Sequence, residues 1–127
     1  MFPSNLDAIL TLEAGALGAA ILDSTARQAR ILAEFVREDD WVSPLSRAVF
    51  KAIRQLVSRD VLPLDYASII AEMMEQGTFQ SYTNGYSLIS SLGEGVVLAR
   101  PMTRRIHDLR AMWNQRKEIH SKLGSAT

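Results

Sequence analysis

The sequence predicts an all-α domain: a compact bundle of about six helices that closes on one long C-terminal helix. Three observations predict it. Helical periodicity dominates the 127 residues, with apolar side chains recurring at spacings of three and four. Cap and stop signals at Ser43-Pro44, Asp65, Gly77 and Gly93 cut that pattern into segments of helix length. Hydrophobic residues make up 47% and charged residues 22%, and a chain of this length buries roughly two-thirds of its unfolded surface, enough for one core.

The elements follow in order. Ser4 with Asp7 resembles a capping box, and a first helix is expected from Asn5 to about Leu22. Its buried face would carry Leu6, Ile9, Leu10, Leu17 and Ile21, with Ala14 and Gly18 allowing close packing. A second helix is expected from Ser24 to near Val36, with Ala29, Leu32 and Phe35 inward. Ser43-Pro44 is the clearest start signal, because Ser caps free amides and Pro at the first helical position loses no useful N–H. Leu45, Val49, Ala52, Ile53, Leu56 and Val57 follow at helical spacing, and this helix should stop near Arg59-Asp60. Asp65 caps a short fourth helix with Ile69, Ile70, Met73 and Met74, which Gly77 ends in a left-handed stop. Ser81 to Gly85 reads as a loop, although Asn84-Gly85 also suits a hairpin turn after a strand over Thr78–Tyr82. A fifth helix holds Tyr86, Ile89 and Leu92 and ends at Gly93. The final helix runs from Met102 to about Leu123, so the chain divides into a helical head over 1–101 and a C-terminal helix over 102–127.

Along that last helix Met102, Ile106, Leu109, Trp113, Arg116, His120 and Leu123 follow alternating steps of four and three, a heptad-like seam. The seam either caps the domain's own core or meets another molecule. An intermolecular role would use Arg105, Ile106, Leu109, Arg110, Trp113, Arg116, Lys117 and His120. Charge singles out the same segment. From Arg100 to Lys122 the balance is +5, and the rest of the chain carries −5. A basic arm on an acidic body suits an acidic partner surface or weak contact with nucleic acid, or it is a solvated helix face.

Catalytic and cofactor signatures are missing. No Lys follows a Gly as a P-loop requires, and Gly93-x-Gly95 lacks the third glycine of a dinucleotide fingerprint. His107 and His120 lie 13 positions apart on one helix, too far to share a metal, and His107 next to Asp108 points about 100° away from it. Glu38-Asp39-Asp40 reads as a solvated turn rather than a cation site. There is no Gly-x-Ser-x-Gly elbow and no cysteine. Trp41, Trp113, Tyr66, Tyr82 and Tyr86 are scattered rather than interleaved with basic residues, which suits core packing better than a stacking platform. No apolar run reaches the ~18 residues that span a bilayer. The apolar stretch Ala14–Leu22 follows Asp7 and Glu13 instead of a basic segment, so no signal peptide and a cytoplasmic location are expected. The expectation is a non-enzyme without cofactor, metal or membrane contact.

Several stretches, taken together and in order, resemble the N-terminal domain of DnaB-type replicative helicases. Glu13-x-x-Ala16-Leu17-Gly18-x-x-Ile21-Leu22-Asp23 is similar to the family's Glu, Leu-Gly and short aliphatic run. Phe35-x-x-Glu38-Asp39-Asp40-Trp41 resembles its Pro-Glu-Asp-Phe stretch, with Trp41 in the aromatic place. Ser46-Arg47-Ala48-Val49-Phe50 is similar to its His-Arg-x-Ile-Phe segment, with Ser46 departing from the usual His. Pro63-Leu64-Asp65 looks like its Pro-Ile-Asp cap, Gln76-Gly77 like the helix end after it, and Asn84-Gly85-Tyr86 like its Gly-Gly stretch. The last helix, with Arg116 inside it, resembles the first arm of the family's helical hairpin.

The resemblance covers about residues 6 to 123 and lacks the ATPase domain, so it implies no motor activity. In the family, paired hairpins build a collar on the hexamer and help to dock primase. The resemblance therefore implies an interaction module of DNA replication whose partners are a replicative helicase, a helicase loader or primase. Such a module is either the helicase's own N-terminal domain or a stand-alone homologue of phage or mobile-element origin. The competing expectation is a self-associating helical domain, a homodimer through the last helix, of unrelated role. A Trp113→Asp change is then expected to yield monomers with an intact head.

Overall fold

The computed structural model describes residues 3–79, 84–94, 96 and 100–125, with side chains at 6–79, 84–94, 96 and 100–117. Its helices are α1 (Pro3–Leu22), α2 (Arg27–Phe35), α3 (Pro44–Ser58), α4 (Tyr66–Glu75), α5 (Gly85–Ser90) and α6 (Met102–Ser125). Short 3-10 turns over Glu38–Asp40 and Ser91–Gly93 join α2 to α3 and extend α5. Among the described residues there is no strand, as the sequence pattern predicts. Most of the hairpin alternative at Thr78–Tyr82 falls outside them; Asn84 itself is left-handed, with φ 60°, and immediately precedes α5.

α1 runs through the middle of the bundle and packs against α6, α2, α3 and the Ser91–Gly93 turn. Its sequence explains this place. The second half carries Ala16, Leu17, Gly18, Ala19, Ala20 and Ile21, all buried, so small residues ring the helix and neighbours approach from several sides. Gly18 is the tightest approach: a Cβ there would overlap the carbonyl of Leu92 in the Ser91–Gly93 turn. Gly18→Ala must displace that backbone and is expected to lower stability by roughly 3 kcal/mol in a urea titration. An unchanged midpoint would show that the turn adapts freely.

Three inward assignments are corrected. Leu6 and Leu10 are 41% and 38% exposed, because the buried stripe of α1 runs through Ile9, Glu13, Ala16 and Ala20 and turns those leucines outward. Phe35 is 51% exposed; α2 buries Ala29 and Leu32, and Val36, one residue past the helix end, fills the inward place.

α2 also begins later than expected, at Arg27 rather than Ser24. The Asp23 carboxylate draws Ser24 to Ala26 into a turn by accepting from the Thr25 amide (3.0 Å), the Thr25 hydroxyl (2.7 Å) and the Gln28 amide (2.9 Å). Desolvation raises its pKa, but these hydrogen bonds and the charge of Arg27 outweigh it and hold the carboxyl below its ordinary value of 3.8. The native state therefore binds this proton less readily than the unfolded chain does. Asp23 contributes its stabilisation fully above the ordinary value, and the contribution is lost as pH falls through the lowered native one. Asp23→Asn is expected to cost about 1 kcal/mol at neutral pH and to reduce the acid sensitivity of the melting temperature below about pH 4. Parallel melting curves of wild type and variant down to low pH would refute it.

α1 begins at Pro3, so Ser4 lies within the helix rather than capping it; the starts of α3 and α4 and the end of α4 match their signals. The Ser43 hydroxyl accepts from the Ser46 amide at 3.3 Å with Pro44 in the first turn, and the Asp65 carboxylate accepts from the Ser68 amide at 2.7 Å. Gly77, at φ 76°, ends α4 in the left-handed region that favours glycine. Arg59 at the end of α3 pairs at 3.0 Å with Glu72, a carboxylate only 3% exposed, and so ties α3 to α4. One core includes Leu17, Leu32, Phe50, Ile53, Ile69, Met73, Ile89 and Leu109, so every helix contributes to it.

Candidate interaction surface

α6 is 24 residues long, about 36 Å at the helical rise. Its first three turns belong to the head. Met102, Ile106, Leu109 and Trp113 are 1%, 4%, 0% and 3% exposed and pack into the common core. As far as Trp113, the apolar seam is therefore covered by the chain's own helices. Arg116, the next seam position, is exposed, and so is Lys117. His120 lies on α6 beyond the described side chains.

The junction between α6 and the head is built on Glu13, which is fully buried. One carboxylate oxygen accepts from the Val42 amide (2.7 Å) and the Trp113 indole N–H (2.9 Å). The other accepts from the Ser43 amide at 3.1 Å. One side chain thus joins α1, the segment entering α3 and α6. Around it, Trp41 packs on Phe50 with ring centroids 5.1 Å apart and meets Trp113 edge-on at 5.5 Å. Arg47 donates to the Trp41 carbonyl at 2.9 Å, fixing the same segment from α3. The buried Trp41 indole N–H finds no acceptor among the described residues.

The basic charges of α6 divide between internal and outward use. Arg100 pairs with Asp108, and Arg104 lies 3.7 Å from the same carboxylate. His107 stands 3.5 Å from Asp108, which the two arginines already engage. Arg110 donates to the Phe35 carbonyl and ties α6 to the end of α2. Arg105 is only 9% exposed and lies along α1 beside Gly15. Burial, with the charge of Arg100 added, pulls its guanidinium below the ordinary arginine value. Arg116 and Lys117 are exposed and are among the residues that line a cleft of about 420 Å³ beside the Glu38–Asp40 turn.

That cleft is lined by Asp39, Asp40, Trp41, Val42, Arg47 and Trp113 together with Arg116 and Lys117. The Asp40 carboxylate accepts from the Arg37 amide at 3.0 Å, so it stabilises the turn that carries it. Among the described residues no group of three or more His, Cys, Asp or Glu could hold a metal ion, and no helix is long and apolar enough to cross a membrane.

Of the eight interface candidates, the structure brings Ile106, Leu109 and Trp113 together inside the head, with Arg105 nearly enclosed beside them. It leaves Arg110, Arg116 and Lys117 at the surface. Sequence reasoning noted Glu13 within a motif and as an acid before the apolar stretch Ala14–Leu22, and missed its structural task. The signal was there: Ile9, Glu13, Ala16 and Ala20 share one helical stripe, and a carboxylate within such a stripe needs buried donors. The acidic turn was read alone, because nothing in the sequence states that residues 39 and 116 line one cleft.

A helical head closed by one long C-terminal helix, all-α among the described residues, defines the class of fold. A sequence model of the DnaB-like helicase N terminal domain matches residues 5–109, and the chain belongs to that family. No curated protein and no solved structure matches the chain. The matched range holds α1 to α5 and the first two turns of α6. The matched family is that of a helicase-associated interaction and oligomerisation domain.

Proposed function

We propose that this domain is a protein–protein interaction module of DNA replication that binds or mimics the N-terminal collar of a replicative helicase, contacting helicase, loader or primase without motor activity of its own. The observation that carries the reading is the family match over the head, joined to a helix that continues past it. α6 continues to Ser125, about 18 Å beyond Trp113, the last core residue described on it. We take this distal part, with Arg116, Lys117 and His120, as the partner-facing arm, and the first half of α6 as part of the head. Direct nucleic-acid binding is a weaker reading, since Arg100, Arg104 and Arg110 are engaged within the chain and few cations are left for phosphates.

The test is capture from a lysate of host cells on the tagged chain. Recovery of the replicative helicase, its loader or primase is expected. Recovery of none of the three, from a lysate shown to contain them, would overturn the reading.

A further inference from the structure

α4 and α5 leave an open groove of about 550 Å³ between them. Tyr66, Ile70 and Met74 line it at spacings of four, a single row along α4, with the small residues Ala67 and Ala71 beside them. Tyr86 lines it from α5, and its ring is held edge-on to Phe79 at 5.0 Å. Met74 and Tyr86 are 42% and 61% exposed. α4 already buries Ile69 and Met73 in the common core. This second apolar row is one more than a helix on the surface of the head requires, and it marks a face built to be covered.

Charge specifies what covers it. No charged side chain lines the groove. From Asp60 to Ala99 the chain holds five acidic residues and no Lys, Arg or His. Asp60 and Glu72 are paired with Arg30 and Arg59. Asp65 and Glu75, exposed at the two ends of α4, enter no ion pair among the described residues. We infer that the groove between α4 and α5 docks an amphipathic helix of a partner protein, one whose apolar face is flanked by Lys or Arg.

A row spaced by four is a helix ridge, so a third helix seats beside it between α4 and α5. Cations flanking the apolar face of that helix then meet Asp65 and Glu75. An extended segment has no strand to pair with at this place, since both walls are helices. A second copy fits less well. Its basic segment has Met102, Ile106, Leu109 and Trp113 enclosed in its own head and cannot present them to the groove. The inference concerns α4 and α5 alone and stands apart from the role proposed for the distal part of α6.

Fluorescence anisotropy on the full chain tests it with three labelled peptides of about 18 residues, long enough to form a helix. The first carries Leu at spacings of three and four with Lys on both flanks. The second replaces every Lys by Glu, and the third shuffles the first so that no apolar face forms. Saturable binding of the first is expected, with a dissociation constant of roughly 10–100 μM that rises severalfold at high salt. The other two should bind at least about tenfold more weakly.

Ala71→Arg and Tyr86→Ala, both at exposed positions, are each expected to weaken the first peptide about tenfold, and Glu75→Lys severalfold. Thermal unfolding checks the variants. If Tyr86→Ala melts early through its lost contact with Phe79, Ala71→Arg decides, because it removes no packed ring. Equal binding of the three peptides, or none up to ~1 mM, would overturn the inference. So would undiminished binding to folded Ala71→Arg. A wild-type dimer in sedimentation velocity that Ala71→Arg makes monomeric would also overturn it, by giving the groove to a second copy.

Discussion

Glu13→Ala is expected to lower the unfolding free energy by about 3–5 kcal/mol, because it strands three donors that the carboxylate now satisfies. Those donors are the amides of Val42 and Ser43 and the indole N–H of Trp113. The loss falls on three elements at once. α1 releases the segment that enters α3, and α6 loses the bond that fixes its third turn. For a chain of this size the corresponding fall in melting temperature is roughly 10–20 °C. Glu13→Gln keeps an acceptor oxygen but turns an amide toward N–H donors, so it should lie between Ala and wild type. Urea titrations of the three proteins check this order, and a Glu13→Ala cost under ~1 kcal/mol would contradict the assigned role.

Trp113→Asp carries the second large effect, and it revises an expectation drawn from periodicity. Read as a residue on an intermolecular seam, Trp113 could be changed to Asp without harm to the head. It is 3% exposed, stacked edge-on to Trp41 and bonded to Glu13. The change removes a large buried ring, worth about 3–5 kcal/mol, and sets a second carboxylate beside the first. The sum approaches the whole stability of an ordinary domain, about 5–15 kcal/mol. Loss of the cooperative melt is therefore expected, measured by far-UV circular dichroism. Trp113→Phe, which keeps most of the ring and loses the donor, should fold with a cost of about 1–2 kcal/mol. A folded, monomeric Trp113→Asp protein would return Trp113 to the surface.

The two side chains show what the sequence could and could not convey. Element existence and type were legible, since caps such as Ser43-Pro44 and Asp65 act within one turn of the backbone they bond. The close approach at Gly18 was legible too, because a small residue in an apolar stripe has few other uses. Facing was harder. In α1 apolar residues surround the helix, so periodicity could not separate Ile9 from Leu6 and Leu10. At Ser24 the start of α2 was misplaced because Asp23, one residue earlier, holds the turn through Thr25 and Gln28.

The candidate surface was half legible for a related reason. A narrow heptad-like stripe states that α6 has a partner but not whether that partner is α1 of the same chain. The identity of the covering helix is a long-range fact, set by contacts such as Glu13 to Trp113 across 100 positions. Charge was more informative. The basic segment, located by composition alone, contains two of the cations that line the cleft, Arg116 and Lys117. Its other arginines turned out to fasten the helix, Arg100 through Asp108 and Arg110 through Phe35.

The central claim, that the domain serves replication by contacting the helicase or the proteins that dock on it, is tested most directly with purified components. The folded chain would be titrated against the host's hexameric helicase, its loader and its primase by biolayer interferometry. Saturable binding to at least one of them is predicted. For a chain that mimics the collar, binding to loader or primase should be displaced by the N-terminal domain of the host helicase itself. Absence of binding to all three, by protein whose melting curve is intact, would contradict the account.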